Sequence, residues 1–148
     1  MPSKASDKIH FHYLVSSVGL RKRTTLKEFI VSILKREGKR PDQINYIFCD
    51  DAYLLKLNQE YLNHDTLTDI ITFEYSGKSD PVLSDIYISI ERVSANAVQF
   101  KTSFKAELHR VMFHGVLHLC GYKDKTPEQS AVMRNKEQQY LDSYFKLK

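Results

Sequence analysis

Two histidines four residues apart, His114 and His118, are followed by Gly121 and Asp124 in the run FHGVLHLCGYKDK, residues 113–125. On a helix, positions i and i+4 share a face, so the two imidazoles can converge on one ion. Gly121 can take the left-handed backbone that closes a helix and turns the chain back, which would carry Asp124 toward the pair. Two ring nitrogens and a carboxylate oxygen suit zinc, whose catalytic sites commonly use three protein ligands and keep a fourth position open. A bare pair at this spacing also describes two hydrogen-bonded histidines on an ordinary helix. The glycine and the carboxylate, at the offsets of the metzincin zinc signature, favour metal. Zinc peptidases place a glutamate base directly after the first histidine; this chain has Gly115 there, so peptidase chemistry is disfavoured. Cys120, two positions beyond His118, points to nearly the opposite face and is a poor third ligand. Glu107, two turns before His114, falls on the ligand stripe, where it either orients an imidazole or lies on the helix surface.

The elements that must position these residues follow from periodicity and capping. Ile9 to Val15 alternates as a strand, and Thr24 or Thr25 can cap a helix with Leu26, Phe29, Ile30, Ile33 and Leu34 at helical spacing, closed by Gly38. Ile44 to Cys49 is a second strand, and Asp50 or Asp51 opens a second helix. Ile70 to Tyr75 and Val82 to Ser89 are β-rich runs joined by a turn containing Gly and Pro, which predicts a hairpin. The chain is helical from Glu91. Ser103 caps a helix from Phe104 to Cys120 that bears the histidines, and Thr126, Pro127 and Glu128 start the last one. The order βαβαββααα predicts an α+β fold, a mixed four-stranded sheet packed with about five helices.

At 148 residues, with 42% hydrophobic and 27% charged residues, the chain is expected to form one domain, residues 1–148, around a single core. No apolar run approaches the ~20 residues that cross a bilayer, and the first residues lack a signal-peptide apolar stretch, so the expected location is cytoplasmic with no membrane partner. Cys49 and Cys120 lie in apolar surroundings without a CxxC pattern and read as reduced thiols. A net charge of +4 suits polyanionic partners, nucleic acid first, although solvated helix faces also carry such clusters. Lys101 and Lys105, near the start of the histidine helix, either meet phosphates or are ordinary surface lysines. His10, His12, His64 and His109 have no partner at ligand spacing and read as structural.

The run HGVLHLCGYKD resembles the HGxLHLxGYDH signature of the bacterial YbeY rRNA maturation factors, which are zinc-binding, metal-dependent endoribonucleases. LNQEYLNHDTLTDIITF, Leu57 to Phe73, is similar to the family's LNxxYRxxDxPTDVLSF, and SDIYIS, Ser84 to Ser89, to its GDIxIS; the helix carrying Glu107 also matches. The resemblance spans about residues 50 to 141. It implies a metal-dependent, single-strand-specific endoribonuclease of rRNA maturation. Zn2+ would sit on His114, His118 and Asp124, Glu107 would join the catalytic group, and Asn58, Thr68 and Asp69 would line the substrate cleft; Lys105 is added as a substrate-binding candidate from its place near the start of the histidine helix, not from the resemblance. The implied partners are rRNA, the ribosomal small subunit and ribosomal proteins, with no DNA. Three positions depart from the pattern: Asp124 replaces the third histidine, Leu62 the arginine after the tyrosine, and Ser84 the glycine of GDI. Losing a guanidinium suited to phosphate keeps a second class open, a non-catalytic RNA-binding assembly factor whose metal is structural. A metal-dependent hydrolase for another substrate is a third.

Overall fold

The computed structural model describes residues 4–16, 18–63 and 67–146, which leaves His64 outside the described residues. After a short 3-10 turn the chain runs β1 (Ile9–Tyr13), α1 (Arg23–Arg36), β2 (Pro41–Cys49), α2 (Asp51–Leu62), β3 (Ile70–Glu74), β4 (Val82–Ser89), α3 (Ile90–Gln99), α4 (Phe104–Leu119) and α5 (Pro127–Lys146). The sheet order is β1-β2-β4-β3. β1, β2 and β4 are parallel, and β3 pairs antiparallel with β4 as the expected hairpin. The α+β reading holds. α1 begins two to three residues earlier than a threonine cap would place it. Its N-cap is Lys22 in a left-handed conformation at φ 51°, with no capping side chain.

Strand alternation sends Ile9, Ile44, Tyr46, Phe48, Ile86 and Ile88 to one face of the sheet, where all are fully buried. α1 lays Leu26, Ile30, Ile33 and Leu34 on that face, and α5 adds Met133, Tyr140, Leu141 and Tyr144. α4 is apolar on most of its circumference. Leu108, Val111, Met112, Phe113, Val116 and Leu117 are all buried, as expected of a helix enclosed by other elements. Its position is keyed by the buried Tyr46 hydroxyl, which donates to the Met112 carbonyl at 2.8 Å. α2 covers the other face through Leu54, which packs with Cys49 and Ile71. Both cysteines are free thiols, Cys49 buried and Cys120 half-buried. Ser84, fully buried, sends its hydroxyl to the Phe73 carbonyl at 2.8 Å, so the serine in place of glycine adds a β3–β4 cross-link. Among the described residues no helix is long and apolar enough to cross a membrane.

Candidate metal centre

The site is built where α4 ends. Ser103 caps α4 as expected, its side chain accepting from the Ala106 amide at 3.0 Å. At the other end Gly121, at φ 103°, takes the left-handed conformation, the Tyr122 amide donates to the Leu117 carbonyl at 3.1 Å and the Gly121 amide to His118 at 3.0 Å. This is the six-to-one and five-to-two closure of a helix C-terminus. The turn brings Asp124 back over the exit of α4, with its Oδ2 3.3 Å from His114 Nε2 and 3.4 Å from His118 Nε2. The imidazole centroids are 4.6 Å apart with planes at 82°.

These distances test whether a metal fits. Two donors bound at ~2.0–2.1 Å to one tetrahedral ion lie about 3.3–3.4 Å apart, as Asp124 does from each histidine. One ligand atom from each of His114, His118 and Asp124 lies within 4.8 Å of the others. The residues can hold a divalent ion. His114 is also oriented for it: its Nδ1 faces Glu137 Oε2 at 2.5 Å, so that nitrogen is engaged and Nε2 is left pointing at Asp124.

The electrostatics separate the two rings. Burial alone would lower the His114 pKa, but the hydrogen bond and charge of Glu137, with Asp124 and Asp69 nearby, hold it above the ordinary histidine value. His118 is held below that value, by burial first and by the neighbouring His114 second. Protons therefore compete for His114 more strongly than for an ordinary histidine, which makes metal uptake pH-dependent.

The turn carrying Asp124 is braced on both sides. Tyr122 donates its hydroxyl to Glu37 Oε1 at 2.8 Å, and Glu37 Oε2 also receives the Tyr140 hydroxyl at 2.5 Å and Lys136 Nζ at 3.5 Å. Burial raises the Glu37 carboxyl, but these hydrogen bonds and the Lys136 charge outweigh it and leave it below the ordinary glutamate value. On the far side Gln129 Oε1 accepts from the Lys125 and Thr126 amides, while Thr126 Oγ1 accepts from the Gln129 amide. That reciprocal cap starts α5 at the expected Thr-Pro-Glu.

The donors open on a cleft of about 950 Å³ between β3 and the helices. Asn58, Thr68, Asp69 and Glu107 all line it, as does Leu62 at the position of the absent arginine. Asp69 accepts from the Asn96 amide at 3.3 Å, and burial pushes its carboxyl above the ordinary range. Glu107 is buried rather than a surface carboxylate, and burial pushes it up against the pull of Arg110, 3.9 Å away. The carboxylate that takes the His114 ring is Glu137, so the imidazole-orienting role considered for Glu107 falls to another residue. Lys105 is a second correction. It lies outside the cleft, its Nζ 5.4 Å from the Phe145 ring centre, because two positions before Glu107 is about 200° around the helix. Lys101 is outside it too.

Sequence reasoning passed over Glu137, Glu37 and Arg110. Glu137 had a legible signal: it is the one carboxylate in the apolar stripe Met133, Glu137, Tyr140, Leu141, Tyr144, where an unpaired charge is rarely buried. Gly115, where a peptidase has its glutamate, faces the sheet. A Cβ there would sit 3.0 Å from Ile70 Cδ1 and 3.1 Å from Ile86 Cγ2, so any side chain would press on these neighbours and require them to shift. His109 is buried and structural, its Nδ1 2.7 Å from the Lys105 carbonyl and its ring stacked on Tyr144. His12 Nε2 lies 3.0 Å from Asn45 Oδ1 on the sheet, remote from the cleft lining.

The family model described as Endoribonuclease YbeY matches residues 16–145. The Endoribonuclease YbeY of Flavobacterium psychrophilum is 53% identical over 133 residues, covering 90% of this chain and 94% of its own. That of Porphyromonas gingivalis is 44% identical over 134 residues, covering 90% and 88%. A solution structure of a Thermotoga maritima protein superposes with a TM-score of 0.65 at 29% identity, over 91% of this chain and 89% of that one. With the motif, the fold and the matched length in agreement, the chain belongs to the YbeY endoribonuclease family.

Proposed function

We propose that the protein is a metal-dependent endoribonuclease that cuts single-stranded RNA during rRNA maturation. In this reading residues 1–148 act as one cytoplasmic hydrolase domain that meets the ribosomal small subunit or its proteins. The supporting observation is the convergence of His114, His118 and Asp124 at the mouth of a cleft, in a chain whose relatives bear the name endoribonuclease. The net charge of +4 agrees with an RNA partner.

His114, His118 and Asp124 would hold Zn2+, which when bound supplies a Lewis acid that acidifies water and stabilises negative charge on a phosphoryl oxygen. Glu137 keeps the His114 ring turned with Nε2 toward the ligand point. Asp69 and Glu107, whose carboxyls burial holds above the ordinary range, stand in the cleft as candidates to hold or pass a proton. Asn58 and Thr68 offer hydrogen-bonding groups to the substrate along the same wall.

A structural metal would be needed to clamp the Asp124 turn only if nothing else did, and here Tyr122, Glu37 and Gln129 already brace it. The enzyme reading is therefore preferred to the assembly-factor reading. The deciding experiment incubates purified protein with labelled single-stranded and duplex RNA, with and without chelator, beside elemental analysis of wild type and His114→Ala/His118→Ala. Expected are zinc in the wild type alone and chelator-sensitive cleavage of the single strand. Full zinc occupancy in the double variant, or cleavage indifferent to chelator, overturns the reading.

A further inference from the structure

The cleft wall is rich in carboxylates. Asp69, Glu74, Glu107, Asp124 and Glu137 line it, and a phosphate backbone needs cations there to enter. The lining cations are Arg110, Lys125 and Arg134. Arg110 is engaged already: its guanidinium contacts Glu137 at 3.4 Å, Gln138 at 2.8 Å and Glu107 at 3.9 Å. Lys125 and Arg134 are exposed, and neither is ion-paired with a carboxylate among the described residues. Both stand on one side of the cleft, Lys125 next to Asp124 and Arg134 on α5 three residues before Glu137. The lining contributed by α2 and α3 differs. It carries Leu62 at the end of α2 and Phe100 at the end of α3, 42% and 54% exposed, large apolar side chains turned to solvent in the cleft.

We infer that this division of polarity sets the path of the substrate: the phosphates of an unpaired strand run along Lys125 and Arg134, and a splayed base stacks on Phe100. The inference deepens the endoribonuclease reading and rests on it for the identity of the ligand. Lysine and arginine grip phosphate without reading sequence, and an exposed phenyl ring accepts any base face. A base held in a duplex has its faces covered, so the Phe100 contact requires single-stranded RNA. The α5 side thus takes over the electrostatic work that an arginine at position 62 would do, and Leu62 widens the apolar wall instead.

The test measures binding of a short fluorescein-labelled oligouridylate by fluorescence anisotropy at several salt concentrations, with EDTA present so that no strand is cut. Lys125→Gln/Arg134→Gln should flatten the slope of log K against log salt by about 1.4, ~0.7 for each phosphate no longer neutralised. The charge-preserving variant Lys125→Arg/Arg134→Lys should retain the wild-type slope. Phe100→Ala should leave the slope unchanged and weaken binding roughly 5- to 150-fold. That loss should shrink toward none on an abasic strand of equal length. Circular dichroism melts of each variant establish that it is folded. An unaltered slope in the double glutamine variant, or a Phe100→Ala loss equal on base-bearing and abasic strands, overturns the inference. Strong binding with these signatures but no cleavage by metal-loaded wild type would sink the enzyme reading and leave this one standing. Cleavage by variants that bind as wild type does would do the reverse.

Discussion

The paired histidines and the aspartate reach one point by different routes. His114 and His118 stand on a helix locked into the core by Met112, Phe113, Val116 and Leu117, all fully buried, so their separation is set by helical pitch. Asp124 stands on an exposed turn, its side chain 42% accessible, held by hydrogen bonds that run from Tyr122 to Glu37, the residue that closes α1, and from Gln129 on α5. One arm is rigid through packing. The other packs Tyr122 against the core and is otherwise held by polar contacts, which can be removed singly without emptying the core. The difference separates perturbations that abolish the site from perturbations that loosen it.

The largest effect should come from the helical arm. His118→Ala removes a donor outright, so bound zinc by elemental analysis should fall to background and RNA cleavage with it, a loss beyond the roughly 10- to 100-fold typical of partners behind a ligand. The melting temperature should change little, because His118 lies at the cleft edge rather than within the core.

Glu137→Gln comes next. It keeps the shape but withdraws the charge that holds the His114 ring and raises its pKa. Metal affinity by competition with a chromophoric chelator should drop about 10- to 100-fold. Unchanged affinity would mean that the ring is oriented by packing alone.

Glu37→Gln probes the polar arm. The amide cannot accept from Tyr122, Tyr140 and Lys136 as the carboxylate does, and stability by urea denaturation should fall by about 1–3 kcal/mol. Metal affinity should fall less than in Glu137→Gln, since Asp124 is still tethered through Gln129. If the two variants lose metal equally, the arms do not differ as described.

The smallest effect is that same difference followed with pH. Glu37 lies below its ordinary value of 4.5 in the folded protein, so its stabilisation is fully present above about pH 4.5 and is lost as pH falls through the folded value. The stability gap between wild type and Glu37→Gln should therefore be flat from neutral pH down to the mid-4 range and narrow below it. A gap that widens on acidification would show that Glu37 is not held by these donors.

Much of this architecture is legible in the chain. The Ser103 cap, the Gly121 exit, the β3–β4 hairpin and the order of elements follow from spacing and turn chemistry, which act over a few residues. The exceptions have physical causes. Lys105 looked placed for phosphate by nearness in sequence, and helical phase sends it to Phe145 instead. Glu107 shares the ligand stripe with His114, and sharing a stripe does not decide which neighbouring helix supplies the ring's partner. The Lys22 start of α1 has no side-chain cap that a pattern would reveal.

The sequence by itself determined that two imidazoles share a helical face and that a glycine returns the chain toward them, because 3.6 residues per turn and a left-handed exit are local properties of the backbone. Only the tertiary structure decided that Glu137, 23 residues after His114, holds its ring, and that Glu37, 85 residues before Tyr122, pins the turn that delivers Asp124. Contacts across such distances are set by how α1, α4 and α5 pack around one core, and no period along a single segment encodes that arrangement.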